Sequence, residues 1–327
     1  MIKTPISVLL VSLLLIPTIF AEDKLAQTGF QFLSVTSDAR GAAMAGAMTT
    51  LPTQSSALYF NPAGLALMDK AVDITASQNQ WIADIMHNAI SVAIQPMGGR
   101  VGVIGFSALS VNYGDIQGAS VWPIEAGGIE THIIQPSAIT LGAGYAYRLS
   151  NRFSVGLQIK YAAQQLGKSV IEIDDSLSVK KNMTEATAYD FGTHFDTGYK
   201  GIAFGMSIRN FSNEIAYEEE NFQLPLTFTM GLSTDLTNFM PQFSDQHAML
   251  LSVDAVHPRS YPEHFNIGLE YTFMDLLSLR TGYLHSRDER DMTFGFGLEY
   301  FGIVLDYAYI PFGIFNDVQV ITARFSY

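Results

Sequence analysis

"HFNIGLEYTF", His264 to Phe273, alternates without a break. Phe265, Ile267, Leu269, Tyr271 and Phe273 fall on one face of an extended chain, and His264, Asn266, Gly268, Glu270 and Thr272 on the other. A period of two is the signature of a strand with two different surroundings. "RFSVGLQIKY" repeats it, with Phe153, Val155, Leu157, Ile159 and Tyr161 set against Ser154, Gly156, Gln158 and Lys160. So do "LTFTMGL" (Leu226 to Leu232), "TFGFGLEY" (Thr293 to Tyr300) and "SAITLGAGYAY" (Ser137 to Tyr147). Amphipathic helices do not produce this spacing.

Working outward, fourteen such segments emerge, roughly 71–82, 86–96, 99–113, 137–149, 152–167, 187–198, 201–213, 224–236, 247–258, 264–274, 276–286, 291–301, 303–312 and 318–327. An even number of strands about 11 residues long, tilted about 45°, is what a transmembrane β-barrel needs. The connections alternate in length. Gly98-Gly99, Ser150-Asn151, Gly198 to Lys200, Met274-Asp275 and Phe301-Gly302 read as tight periplasmic turns. Long external loops are expected at about 114–136, 168–186 and 214–223, and shorter ones around 258–263 and 286–290. The 237–246 connection is too long for a tight turn and is expected to carry a small helix. "ITARFSY" closes the chain with Ile321, Ala323, Phe325 and Tyr327 on one face, an aromatic terminus typical of bacterial outer-membrane barrels.

Composition agrees. Hydrophobic residues make up 48% and charged residues 15%. After residue 21 no apolar run reaches the roughly 18 residues of a spanning helix. Residues 1–21 read as a secretory signal, with Lys3 ahead of an apolar Ile6 to Phe20 and cleavage expected near Ala21. Losing Lys3 takes the formal charge from −13 to −14, which argues against nucleic-acid binding. Cysteine is absent, so disulfides and thiolate metal sites are excluded.

Chemistry-bearing constellations are sparse. The seven histidines show no paired-ligand spacing, and the strand glycines precede no helix that would cradle a phosphate. Asp174-Asp175 and Glu218 to Glu220 could hold Ca²⁺ or bridge surface lipids through cations, or could simply keep the loops solvated. No enzyme and no cofactor is expected. On the lumen face fall Lys160, Glu270, Arg280, Glu299, Asp306 and Arg324, charges of both signs. They are read as pairing with one another or with an inserted segment, a selective pore being the alternative.

Residues 22–70 supply that segment. "SDARGAAMAGAMTT" (Ser37 to Thr50) is rich in small residues suited to a confined space, and it carries Asp38 and Arg40. In "SSALYFNPAGLALM" (Ser55 to Met68), Asn61 can cap a short helix that Pro62 begins. The expected organisation is a signal over 1–21, a hatch over 22–70 and a barrel over 71–327. The fold class is all-β, a 14-stranded antiparallel transmembrane barrel with a small N-terminal helical hatch.

"SDARGAAMAGAMTTLPTQSSALYFNPAGLA" resembles the N-terminal signature of the PorV/PorQ family, outer-membrane proteins associated with type IX secretion. Asp38, Arg40, Gly41 and Asn61-Pro62-Ala63-Gly64 carry the resemblance, and "LDYAYIPFGIFNDVQVITARFSY" is similar to the family's closing strands. More distantly, the Asn-Pro-Ala hatch resembles FadL-like barrels, the long-chain fatty acid transporters. The first resemblance implies a barrel in the bacterial outer membrane that handles secreted cargo, translocon or attachment-complex partners. The second implies passage of hydrophobic small molecules.

Overall fold

The structure is a computed structural model that describes residues 28–121, 128–173, 176–217, 220–239, 246–285, 292–313 and 317–327. The expected signal over 1–21 lies outside the described residues, as do Asp174-Asp175, Glu218-Glu219 and most of the 237–246 connection. Of that connection a 3₁₀ turn, Leu236–Phe239, is described.

Fourteen strands close a barrel among the described residues. They are β1 (Val72–Gln80), β2 (Met86–Ile94), β3 (Val103–Asn112), β4 (Ser137–Ser150), β5 (Phe153–Ile173), β6 (Ser176–Asp196) and β7 (Ala203–Phe211). The circuit continues with β8 (Thr227–Asp235), β9 (His247–Pro258), β10 (His264–Phe273), β11 (Leu277–His285), β12 (Met292–Tyr300), β13 (Ile303–Ile310) and β14 (Val318–Ser326). Each strand pairs antiparallel with its sequence neighbours, and β1 meets β14 in the register Asp73↔Ser326 to Gln80↔Gln319. Closure leaves the wall without an open edge, which hydrocarbon demands.

Alternation fixes which way each strand faces. In β10 the lumen carries buried His264, Asn266 and Glu270, while Phe265 and Ile267 are exposed on the outer surface. An apolar outer belt continues around the barrel through Ile90, Phe106, Leu141, Phe204, Phe296 and Phe325.

The two ends differ as expected, with one departure. Short connections such as 151–152, 274–276 and 301–302 lie at one end. At Phe301-Gly302 both residues take positive φ (49° and 77°), the left-handed geometry of a two-residue hairpin turn. The segments expected to be long loops, by contrast, are largely strands. Residues 168–173 and 176–186 belong to β5 and β6, 21 residues each, about 70 Å at roughly 3.3 Å per residue. Pairing of β5 with β4 stops at Gln165, and pairing of β6 with β7 begins at Tyr189. The hairpin therefore runs on past the wall. Ile116–Val121 with Gly128–Ile134, and Ile215–Tyr217 with Glu220–Phe222, form smaller hairpins at this end. Beyond the bilayer neither face of a strand must be apolar, so backbone pairing persists where the alternation that advertised it fades.

Residues 28–71 fill the lumen. The chain enters at the long-loop end, where Gly29 N donates to Gln223 O at 3.1 Å, and leaves into β1 at the short-turn end. Between them lie the 3₁₀ turns Gln31–Ser34, Gln54–Tyr59 and Pro62–Leu67 and one α-helix, α1 (Ala39–Ala43).

Candidate functional site: the plug and its seat

The plug is held by capped turns, a charge ladder and a girdle of glycines. Asp38 caps α1, its Oδ1 accepting from Gly41 N at 2.9 Å and its Oδ2 from Ser56 Oγ at 3.0 Å. Gly41 must be small, because a Cβ there would run into the Phe60 ring. Asn61 caps the next turn through Ala63 N at 3.1 Å, with Pro62 at the first helical position. Its amide also donates to Thr49 O within the plug, at 2.7 Å, and to Thr193 O in the wall, at 3.0 Å. One side chain thus caps the turn and ties it to β6. Gly64 packs on Ala57, where a Cβ would come to 3.1 Å.

Arg40 is the plug's charged anchor. Its guanidinium donates to both Glu270 oxygens, at 2.8 and 2.7 Å, and to Pro52 O at 2.8 Å. Arg280 donates to Glu270 from the other side and to Asp306 at 2.5 Å, and Arg324 lies 3.8 Å from Asp306. Burial opposes the charge on Arg40, but Glu270, then Asp306 and Asp38, outweigh it and hold the guanidinium above its ordinary pKa. Five of the expected residues are thereby brought together: Arg40, Glu270, Arg280, Asp306 and Arg324. Lys160 sits apart on β5, 2.7 Å from Asp190. Glu299 shares the lumen parity but is exposed beside the 301–302 turn, away from the ladder.

Sequence reasoning missed what the lumen glycines do. Gly105, Gly144, Gly156, Gly192, Gly205, Gly231, Gly268, Gly282 and Gly295 all press on plug atoms. Their registers link them across neighbouring strands: Gly105↔Gly144, Gly156↔Gly192, Gly205↔Gly231 and Gly268↔Gly282. A Cβ at Gly156 would overlap the Pro62–Ala63 peptide, and one at Gly192 the Asn61 carboxamide. Wall backbone and plug backbone meet directly here. The available signal was glycine recurring at lumen parity in strand after strand. Two further anchors were also missed. Asp254 accepts from Thr49 N and Oγ1 at 3.0 and 2.6 Å, and Asp73 accepts from Ser55 N at 2.9 Å.

On the long-loop side a cavity of about 320 Å³ remains between plug and wall, with Ser34, Thr36, Asn79, Arg209, Thr229 and Tyr261 in its lining. Its walls mix hydroxyl, amide and charged groups with aromatic rings.

A family model described as "Type IX secretion system protein PorV" matches residues 19–248, well over half of the chain. The chain belongs to the PorV family. Solved structures similar to this PorV-family chain are outer-membrane barrels. The toluene transporter TbuX of Ralstonia pickettii superposes with a TM-score of 0.58 at 14% identity, over 89% of this chain and 98% of that one. The monoaromatic hydrocarbon channel CymD gives 0.61 at 13%, over 90% and 98%. A FadL homologue of Pseudomonas aeruginosa gives 0.52 at 12%, over 89% and 98%. At such identities the likeness speaks for the fold alone. A search of curated proteins finds no match. This PorV-family chain is an outer-membrane β-barrel whose lumen is filled by its N-terminal segment, and it shares its fold with those transporter barrels.

Proposed function

We propose that this protein is a non-catalytic, closed barrel whose external hairpins and rim bind protein partners in the secretion or surface attachment of exported proteins. One observation carries the reading: the lumen is filled by a segment locked to the wall, while strand pairs continue past the wall at the long-loop end. Arg40, Asp38, Asn61 and the glycine girdle serve as plug residues in this reading, with residues 22–70 as the hatch. Long loops of such barrels face outward, so the projecting hairpins face extracellular or translocon partners. The membership in the PorV family supports the same direction. Passage of hydrophobic molecules, the activity named for the TbuX and CymD barrels, receives less support from the cavity, whose lining mixes charged and amide groups with apolar ones.

The test is co-purification from solubilised outer membranes, comparing the full chain with a variant shortened between 167 and 182. Exported proteins or translocon subunits should accompany the full chain and be lost with the shortened hairpin. Recovery of lipid alone from both would overturn the reading.

A further inference from the structure

The cavity of about 320 Å³ between plug and wall is lined by charges that take no part in the plug ladder. Among them Arg209 and Asp254 each keep one polar atom, Nε and Oδ1, without a hydrogen-bond partner among the described residues. Buried polar groups are nearly always paired, so two unpaired charged groups facing one chamber mark it as a place for a ligand.

A β-bulge explains why Arg209 is left with capacity to spare. Between the pairs Tyr189↔Phe211 and Phe191↔Ile208, Asp190 of β6 faces two residues of β7, Arg209 and Asn210. Arg209 keeps the lumen parity of Ala203 and Ser207, and the bulge adds Asn210 beside it with a φ of 61°. Asp190 is then occupied by others. Its Oδ1 accepts from Asn210 N at 2.7 Å, and its Oδ2 pairs with Lys160 Nζ at 2.7 Å. Arg209 turns instead to the plug, where Nη1 donates to Tyr59 O at 2.6 Å, and its Nε stays unpaired.

Asp254 on β9 is spent on one side only. Its Oδ2 accepts from Thr49 N and Oγ1 of the plug, and its Oδ1 leans over Gly231 of β8. In register, Arg209 pairs with Thr227 and Asp254 with Gly231, so Thr229 stands between the two charges on the lumen face of β8. Arg209 and Asp254 are within electrostatic reach of each other, yet neither unpaired atom meets the other. Asn266, directly across from Asp254 on β10, also presents an unpaired Oδ1.

We propose that this chamber binds a small zwitterion of the α-amino-acid kind, with an apolar side chain. Its carboxylate takes the Nε edge of Arg209, whose planar fork suits two oxygens. Its ammonium donates to Asp254 Oδ1. Lys160 offsets Asp190 and Arg209 offsets Asp254, so a ligand without net charge leaves the buried group balanced. Leu109, Val256 and Leu284 supply apolar lining for its side chain, and the volume is at the low end for small-molecule sites. Since Tyr59 and Thr49 already tie the plug to these two wall residues, a ligand bridging them stiffens that seat.

The test is isothermal titration calorimetry on the full chain in mild detergent, with L-phenylalanine as the probe. Two analogues separate its charges: 3-phenylpropanoate keeps only the carboxylate, and phenethylamine only the ammonium. L-Phenylalanine should bind once per barrel, and each analogue at least tenfold more weakly. Asp254→Asn keeps an acceptor for Thr49 but turns an amide NH₂ toward the ammonium, and should weaken L-phenylalanine at least tenfold. Leu284→Trp fills the chamber without replacing either charge and should abolish binding. Heat-modifiable gel mobility checks that both variants are folded. No binding of L-phenylalanine, equal binding of either analogue, or equal binding by all three chains would each overturn the proposal.

Discussion

Gly192 and Asn61 show how much rests on single positions. The wall glycine exists so that the plug carboxamide can sit against the backbone of β6 and reach Thr193 O. Gly192→Val must displace Asn61 or bend the strand, and overpacking of this kind costs about 1–3 kcal/mol. The expected outcome is a lower denaturation midpoint together with flickering conductance in planar bilayers, as the plug loosens. Glu270→Gln acts through charge instead. It leaves Arg40 and Arg280 buried without their shared carboxylate, and breaking a buried pair in this way costs roughly 3–5 kcal/mol. Urea unfolding in detergent should show the loss, and Arg40→Met in the same chain should recover part of it by removing one orphaned cation. Glu270, Asp306 and Arg280 were legible as lumen residues from parity alone. Their pairing with Arg40 was not, because the partners lie 230 positions apart in the chain.

At the scale of elements, wall and hairpin tips obey different rules. Each wall strand is paired on both sides, so a local change propagates around the barrel. The β5–β6 extension pairs only with itself among the described residues, from Gly167↔Asn182 to Ile173↔Ser176. Removing 167–182 and joining the ends with a short turn should leave the unfolding midpoint within error of the full chain while abolishing partner recovery. A large drop in stability would mean that the extension braces the wall. The plug turns behave oppositely, since Asn61→Ala deletes a cap and two carbonyl contacts at once. Loss of the cap alone is worth about 0.5–2 kcal/mol, and the conductance of the variant should rise with it.

Across the whole molecule, the proposed function makes the plug the difference between a closed body and a pore. Deleting residues 22–70 removes the lumen filling but no wall strand, since β1 begins at Val72. The shortened chain should insert, shift on heating like the full chain, and conduct in planar bilayers. Unchanged conductance would show that the lumen is closed by something other than the plug. A fourteen-stranded wall is wide enough to need such filling.

The sequence by itself determined the strands, their facing and the end at which long connections gather. These follow from a period of two and from turn residues, both of which act over a few neighbours. Within the plug, the caps at Asp38 and Asn61 were readable for the same reason. What only the tertiary structure decided is where the plug meets the wall: Arg40 on Glu270, Thr49 on Asp254, Pro62 on Gly156. It also decided that residues 168–173 and 176–186 of the expected loop are strand, and that β7 bulges at Asn210. Those outcomes depend on register and closure around the barrel, which bring distant residues to one height. No local pattern encodes that height, because it is set by the pairing of all fourteen strands together.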